Sequence, residues 1–359
     1  MPRKLFFTPG PTQLYPTVPA HIQDALERGI CSISHRSRAF QEIAAHTTSS
    51  IKKLLNIPDN FYTFFLGSAT EAMERIIQNC VARKSFHLVN GAFSERFFSV
   101  AQAHQKSPER YTAAFGEGFD FDAIEVPEET ELICITQNET SAGTQVPLGD
   151  IYSLKRRDPD VLMALDIVSS VPYVDVDYTD VDCTFFSVQK GFGLPAGLGV
   201  IIVNERGIEK AQKLQRDGYS IGSYHSFPAL LSSAAKNQTP ETPNVLGIYL
   251  LGCVCDDMLK VGIDTVQKEI ADKADRLYRF FDEHPIYRPF VEHPPWRSST
   301  INVIEAPEGC LPVIQKLEEA GFIVGSGYGE YKERHVRIAN FPSQNRVDLE
   351  RLLDILGNV

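Results

Sequence analysis

From about residue 60 to residue 203 the chain alternates short apolar runs with stretches whose apolar residues recur every three to four positions. The runs are FYTFFL, FHLV, LICITQ, VLMALDIV, CTFFSV and GVIIV, starting at Phe61, Phe86, Leu132, Val161, Cys183 and Gly199. Unbroken runs of this kind predict strands buried on both faces, and the amphipathic segments between them predict crossover helices. The block therefore predicts an α/β fold with a mainly parallel sheet. SATEAMERIIQNC from Ser68 and AFSERFFSVAQAHQ from Ala92 read as two of the helices, and SRAFQEIAAHTTSSIKKLLN from Ser37 as a long helix packed on the sheet. A turn-rich stretch, KNQTPETPN from Lys236, precedes two long helical patterns, the second ended by Pro285. A domain boundary is expected there. Beyond it TINVIEA, LPVIQKLEEAG, HVRIANF and VDLERLLDIL alternate strand and helix, which predicts a small α+β domain.

Composition fits two domains: 359 residues, 43% of them hydrophobic, exceed what one core usually serves. The net charge of -11 comes from scattered acids, and no basic run interleaved with aromatics offers a track for nucleic acid. The start, MPRKLFFTPGPTQLYP, carries too short an apolar run for a signal peptide or a spanning helix, and no later stretch reaches membrane-spanning length. Seven dispersed cysteines read as reduced core residues of a cytoplasmic protein. The sequons at Asn138 and Asn237 are expected to have an internal meaning rather than to carry glycan.

Chemistry enters with FFSVQKGFGLPAG, where Lys190 closes an apolar run. A buried ammonium costs several kcal/mol unless it is paired or neutral. Lys190 either reaches out to water from the strand end or is a lysine whose pKa falls on desolvation, leaving a neutral amine for a Schiff base. Upstream, Asp166 ends the strand in ALDIVSS, at the carboxyl edge where parallel sheets bind ligands. An acid and a lysine so placed match what pyridoxal phosphate needs, a lysine for its aldehyde and an acid for its ring nitrogen. LGSATEAMERII supplies a strand, a turn and a helix start, where the N–H groups of Ser68, Ala69 and Thr70 would meet a phosphate; the same residues also read as an N-cap, Ser68 with Glu71. GFGLPAGLG lacks the spacing and the following helix of a dinucleotide fingerprint. VDVDYTDVD, from Val174, reads as a short strand and turn with solvated carboxylates rather than as a metal site.

Taken in order, TPGPTQL, SISHR, the Gly-Ser-Ala-Thr turn, QNETSAG, ALDIVSS, SVQKGFGLPAG, ETPNVLGIYLLG and RIANFP resemble the class V (fold type I) pyridoxal-phosphate aminotransferases, nearest to their phosphoserine branch. The resemblance spans nearly the whole chain. It implies a seven-stranded cofactor domain over residues 15–245, a small domain from residues 1–14 and 246–359, and a homodimer with its sites at the subunit interface. It makes Lys190 the Schiff-base lysine and Asp166 the partner of the pyridine nitrogen. It further implies that Ser68, Ala69, Thr70 and Gln189 hold the phosphate of pyridoxal 5'-phosphate, with Thr242 reaching in from the neighbouring subunit. Thr140 would stand near the ring's 3-oxygen. Phe93 would stack on the ring, or else is a core aromatic of its helix. Gln189 before the lysine is similar to the aminotransferases, where the desulfurases of this class have histidine.

For substrate, the resemblance makes Arg337 the carboxylate-binding arginine, a role its bidentate fork suits. His35 and Arg36 would reach a distal phosphate across the dimer; the alternative is a helix entrance with Ser37 as N-cap. The implied reaction is phosphoserine with 2-oxoglutarate giving 3-phosphooxypyruvate and glutamate. Three departures keep alanine- or serine-glyoxylate and serine-pyruvate transamination open: the second His-Arg pair before Arg337 is replaced by GYGEYKER, the phosphate turn is Gly-Ser-Ala-Thr, and Glu241 stands where asparagine is common. Lys332 or Arg334 would then stand in for the missing pair. From another class, an α/β protein binding an anion without catalysis is the remaining alternative, against which the Asp166 and Lys190 pair argues.

Overall fold

The run at residues 161–168 forms the strand Leu162–Asp166, between Leu132–Thr136 and Cys183–Ser187 in the sheet, and every residue of all three is buried. Strands without a solvent face read as unbroken apolar runs instead of alternating. The computed structural model describes residues 4–357. Its large sheet has seven strands in the order Phe61–Leu66, Gly199–Asn204, Cys183–Ser187, Leu162–Asp166, Leu132–Thr136, Ser85–Val89 and Glu109–Thr112. Gly199–Asn204 is antiparallel to both its neighbours, and the other pairings are parallel. The edge strand Glu109–Thr112 is mostly exposed, so no apolar run announces it.

Successive side chains along a strand point to opposite faces, and the two faces have separate cores. Ile133, Ile135, Met163 and Leu165 pack with the helix Arg38–Leu54. Leu132, Cys134, Leu162 and Ala164 pack with the helices Ala69–Cys80 and Ala92–Ala103. VDVDYTDVD forms no strand, and while Asp175 and Asp177 are exposed, Asp182 is buried and accepts from Lys155 Nζ at 3.1 Å, Met163 N–H at 2.8 Å and Asn204 Nδ2 at 2.8 Å. An ion pair across the base of the sheet takes the place of solvation.

A second sheet orders Leu5–Phe7, Phe322–Ser326, His335–Ala339, Ile301–Glu305 and Arg288–Pro289, with the first pair parallel and the rest antiparallel. It has its own core, shared with the helices Ile263–Glu283, Leu311–Glu319 and Arg346–Gly357. The helix Val245–Val261, expected in the small domain, instead packs Ile248, Leu251, Val254 and Cys255 into the large-sheet core with the helix Arg38–Leu54. Ten buried residues on one helix, eight of them with side chains, need a large apolar neighbour, and the core shared with the helix Arg38–Leu54 supplies it. We propose Gly262, at φ +91°, as the point where the chain passes from one domain to the other. No helix among the described residues is long and apolar enough to cross a membrane.

Candidate active site

From Leu5–Phe7 the chain crosses to the large sheet as TPGPTQL, where Thr12 N–H donates to Gln189 O at 3.0 Å and Tyr15 N–H to Gly193 O at 2.8 Å. This strap covers the loop that follows Lys190. A side chain at Gly10, whose φ is +145°, would meet Lys190 Cε at 3.1 Å. Beyond the lysine, a Cβ on Gly191 would stand 1.9 Å from Val171 O, a backbone atom that cannot step aside. Gly191→Ala is therefore expected to cost about 1–3 kcal/mol of stability, as overpacked sites do, checked by the midpoint of urea unfolding.

Lys190 and Asp166 line one cavity at the carboxyl ends of their strands, with Phe93, Thr140, Ser68 and Thr70 also on its wall. They are 7% and 3% exposed, so Lys190 does not reach out to water. Its Nζ donates to Thr140 Oγ1 at 2.9 Å and stands 5.0 Å from the centre of the Phe93 ring. Thr140 Oγ1 donates on to Ser169 Oγ at 2.9 Å, which donates to Asn138 O at 2.9 Å. Asp166 Oδ1 accepts from Val168 N–H at 2.9 Å. Burial pulls the Lys190 ammonium down to about 8, against the attraction of Asp166 and Glu139. Burial likewise lifts the Asp166 carboxyl to about 7, against its bond from Val168 and the pull of Lys190. Burial thus lowers the pKa of the lysine and raises that of the aspartate, each toward its neutral form.

Ser68 caps the helix Ala69–Cys80, its Oγ accepting from Glu71 N–H at 3.1 Å. The capping box is open on its return side, because Glu71 Oε2 accepts from Gly67 N–H at 2.8 Å. First-turn N–H groups have no carbonyl a turn earlier to bind, and here they face the cavity, Ala69 N–H meeting Ser187 Oγ at 2.9 Å. Gly199 makes this packing possible, since a Cβ there would lie 2.4 Å from the Ser68 carbonyl carbon.

Arg337 arrives from the small sheet. Its Nε donates to Ser326 O at 2.7 Å and its Nη1 to Thr140 O at 3.3 Å, and its guanidinium lies 5.5 Å from the Tyr328 ring centre. Burial lowers its pKa. Tyr328 in turn packs on Phe93 at 5.8 Å. His35, Arg36 and Thr242 are not brought to this cavity within one chain. Arg36 is exposed, with Nη1 on Gln238 Oε1 at 2.9 Å and Nη2 on Pro240 O at 3.1 Å, and Ser37 caps the next helix by accepting from Phe40 N–H at 3.2 Å. Thr242 borders a separate cavity with Glu71 and His225. Arg334 is exposed and paired with Glu305, and Lys332 is exposed.

Sequence reasoning missed Glu139. It is fully buried and accepts from Ser94 N–H at 2.9 Å, Phe93 N–H at 3.1 Å and Ser141 Oγ at 2.7 Å, so it caps the helix that presents Phe93. It also missed Thr300, whose Oγ1 donates to Ser169 O at 2.5 Å and ties the small sheet to the floor of the cavity. Asn138 is buried and donates to Ser169 Oγ at 2.8 Å, the internal meaning of the first sequon.

Residues 117–331 match the family model Aminotransferase class-V. The chain belongs to the class-V aminotransferases. Phosphoserine aminotransferase of Rhodococcus opacus is 25% identical over 349 residues, 96% of this chain and 91% of that protein. The crystal structure of a phosphoserine aminotransferase from Cytophaga hutchinsonii matches with a TM-score of 0.98 at 44% identity, over 100% of this chain and 99% of that one. An alanine–glyoxylate aminotransferase from Nostoc sp. shares the fold at 22% identity, with a TM-score of 0.86 over 100% of this chain and 95% of its own. The architecture is the fold type I arrangement that the sequence implied. Class-V aminotransferases in general depend on pyridoxal phosphate, and the residues here fit that group. A buried amine uses one of its donors, on Thr140, while an acid, an aromatic face and a helix N-terminus line the same cavity.

Proposed function

We propose that this aminotransferase is a homodimeric, pyridoxal 5'-phosphate-dependent enzyme that converts phosphoserine and 2-oxoglutarate to 3-phosphooxypyruvate and glutamate. The observation that carries the reading is the meeting at Thr140 of a buried amine from the large sheet and a guanidinium from the small one. A reactive lysine and a carboxylate clamp on either side of one residue are what transamination of an α-amino acid requires. The substrate assignment draws on the phosphoserine aminotransferase that is 44% identical over the full chain.

Ser68, Ala69, Thr70 and Gln189, with Thr242 of the partner subunit, would hold the cofactor's phosphate, and Phe93 would cover its ring. The bound cofactor supplies an electron sink for charge developing at the substrate α-carbon. Asp166 would hold a proton on the ring nitrogen. Lys190 would hold the cofactor, and its amine would move the proton at the substrate α-carbon, a role that the lowering of its pKa by burial favours. Arg337 orients the substrate carboxylate, and His35 and Arg36 face the phosphate across the dimer.

The test is the ratio of kcat/KM for phosphoserine over alanine. Arg36→Ala is expected to weaken phosphoserine by about 1.5–3 kcal/mol, the range for a hydrogen bond to a charged group, and to leave alanine nearly unchanged. Arg337→Ala should lower both substrates alike, since both carry the carboxylate. A wild-type ratio below one that Arg36→Ala leaves unmoved would sink the phosphoserine assignment and favour a glyoxylate or pyruvate acceptor.

A further inference from the structure

Beside the turn Gly67–Thr70, in the separate cavity that Thr242 borders, His225 is 3% exposed and stands between two carboxylates. Its Nδ1 is 2.5 Å from Glu71 Oε1, and its Nε2 is 2.8 Å from Glu241 Oε2. Glu71 is the third residue of the helix Ala69–Cys80, and its other oxygen holds Gly67 N–H, so it fixes both ends of the turn that carries Ser68. Glu241 directly precedes Thr242. The segment around it is held on both sides, by Thr239 Oγ1 donating to Glu241 O at 2.7 Å and by Asn244 Nδ2 donating to Gly197 O at 3.1 Å. One imidazole therefore spans the turn and the Thr242 segment.

We propose that His225 is a positioning residue for the cofactor's phosphate, a clasp that locks the Ser68–Thr70 turn of one site to the segment that presents Thr242 to the partner's site. The proposal rests on the reading that these residues hold that phosphate. It also explains the departure at residue 241, because an asparagine there could not form an ion pair with the imidazolium.

The clasp requires its proton, since a neutral imidazole donates from one nitrogen only and cannot serve two carboxylates. Burial disfavours the charged ring, but the ion pairs with Glu241 and Glu71 outweigh it and hold His225 up at about 9. The bond from His225 and that from Gly67 N–H outweigh burial at Glu71, whose pKa is lowered, with Arg75 adding a smaller pull. The other ring facing the imidazole is Tyr224, 4.2 Å away between centres. A histidine whose folded pKa lies above its unfolded value of 6.5 contributes stability that is full below 6.5 and is lost as pH rises through about 9.

The experiment measures binding of pyridoxal phosphate, and of pyridoxal lacking the phosphate, to the dialysed full-length protein and to His225→Gln and Glu241→Gln. Near neutral pH each substitution should weaken pyridoxal phosphate by about five-fold or more and leave pyridoxal within about two-fold, the scale of one hydrogen bond. At about pH 10, where the ring is neutral in the wild type and in Glu241→Gln and absent from His225→Gln, wild type and variants should converge. The melting temperature of cofactor-free wild type minus that of His225→Gln should shrink over the same rise in pH. Equal loss for both ligands, a loss undiminished at high pH, or no loss at all would each overturn the clasp. A wild type that binds pyridoxal as tightly as pyridoxal phosphate would instead show that Ser68–Thr70 is not the phosphate site, and the underlying reading would fall first.

Discussion

Lys190→Ala protein, loaded with pyridoxal phosphate, is expected to lack the covalent chromophore of the wild type and to transaminate at least about a thousand-fold more slowly. On the proposed reading two roles would end with one amine: the bond that holds the cofactor and the group that moves the proton at the α-carbon. The fold should survive. The lysine's one hydrogen bond goes to Thr140 Oγ1, which keeps Ser169 as a partner, and removing a buried ammonium relieves its desolvation cost. Absorbance of the loaded proteins, read beside their melting temperatures, checks both halves. Turnover near that of the wild type in a well-folded Lys190→Ala would mean that another base does the work.

Asp166→Asn should keep its fold and bind cofactor, yet lose at least about a hundred-fold in rate, near 2.7 kcal/mol of transition-state stabilisation. The amide oxygen can still accept the Val168 N–H, so the strand end stays in place. What would disappear is the carboxylate proposed to keep a proton on the ring nitrogen, because an amide has no such charge. The substitution also removes the attraction that holds up the Lys190 pKa, so that value should fall further and the acid limb of the pH–rate profile should move down. Single-turnover kinetics isolate the effect on chemistry; an unchanged rate constant there would show that a different group sustains the ring proton.

Much of the fold was legible because its central strands are buried on both faces and can only be spelled in apolar residues. Lys190 and Asp166 were legible for the converse reason, since each is a charge set where its neighbours are apolar. Glu109–Thr112 was hidden because an exposed edge strand needs no apolar pattern. Glu139 was hidden because its partners are backbone N–H groups some 45 positions earlier, and no side-chain pattern marks such a bond. Asp182 looked like one of several solvated acids, and only the fold brings Lys155 to it. Glu241 stood out as a departure, but its meaning required His225 beside it. The helix Val245–Val261 was assigned past the boundary because a turn-rich stretch precedes it, although its apolar surface belongs to the large sheet.

The central claim is that Lys190 carries the cofactor in a site shared with Asp166. Borohydride reduction of the purified protein with pyridoxal phosphate, followed by digestion and mass spectrometry, tests it most directly. The reduced cofactor is expected on the peptide containing SVQKGFG, attached at Lys190. Attachment at any other lysine, or no attachment at all, would contradict it.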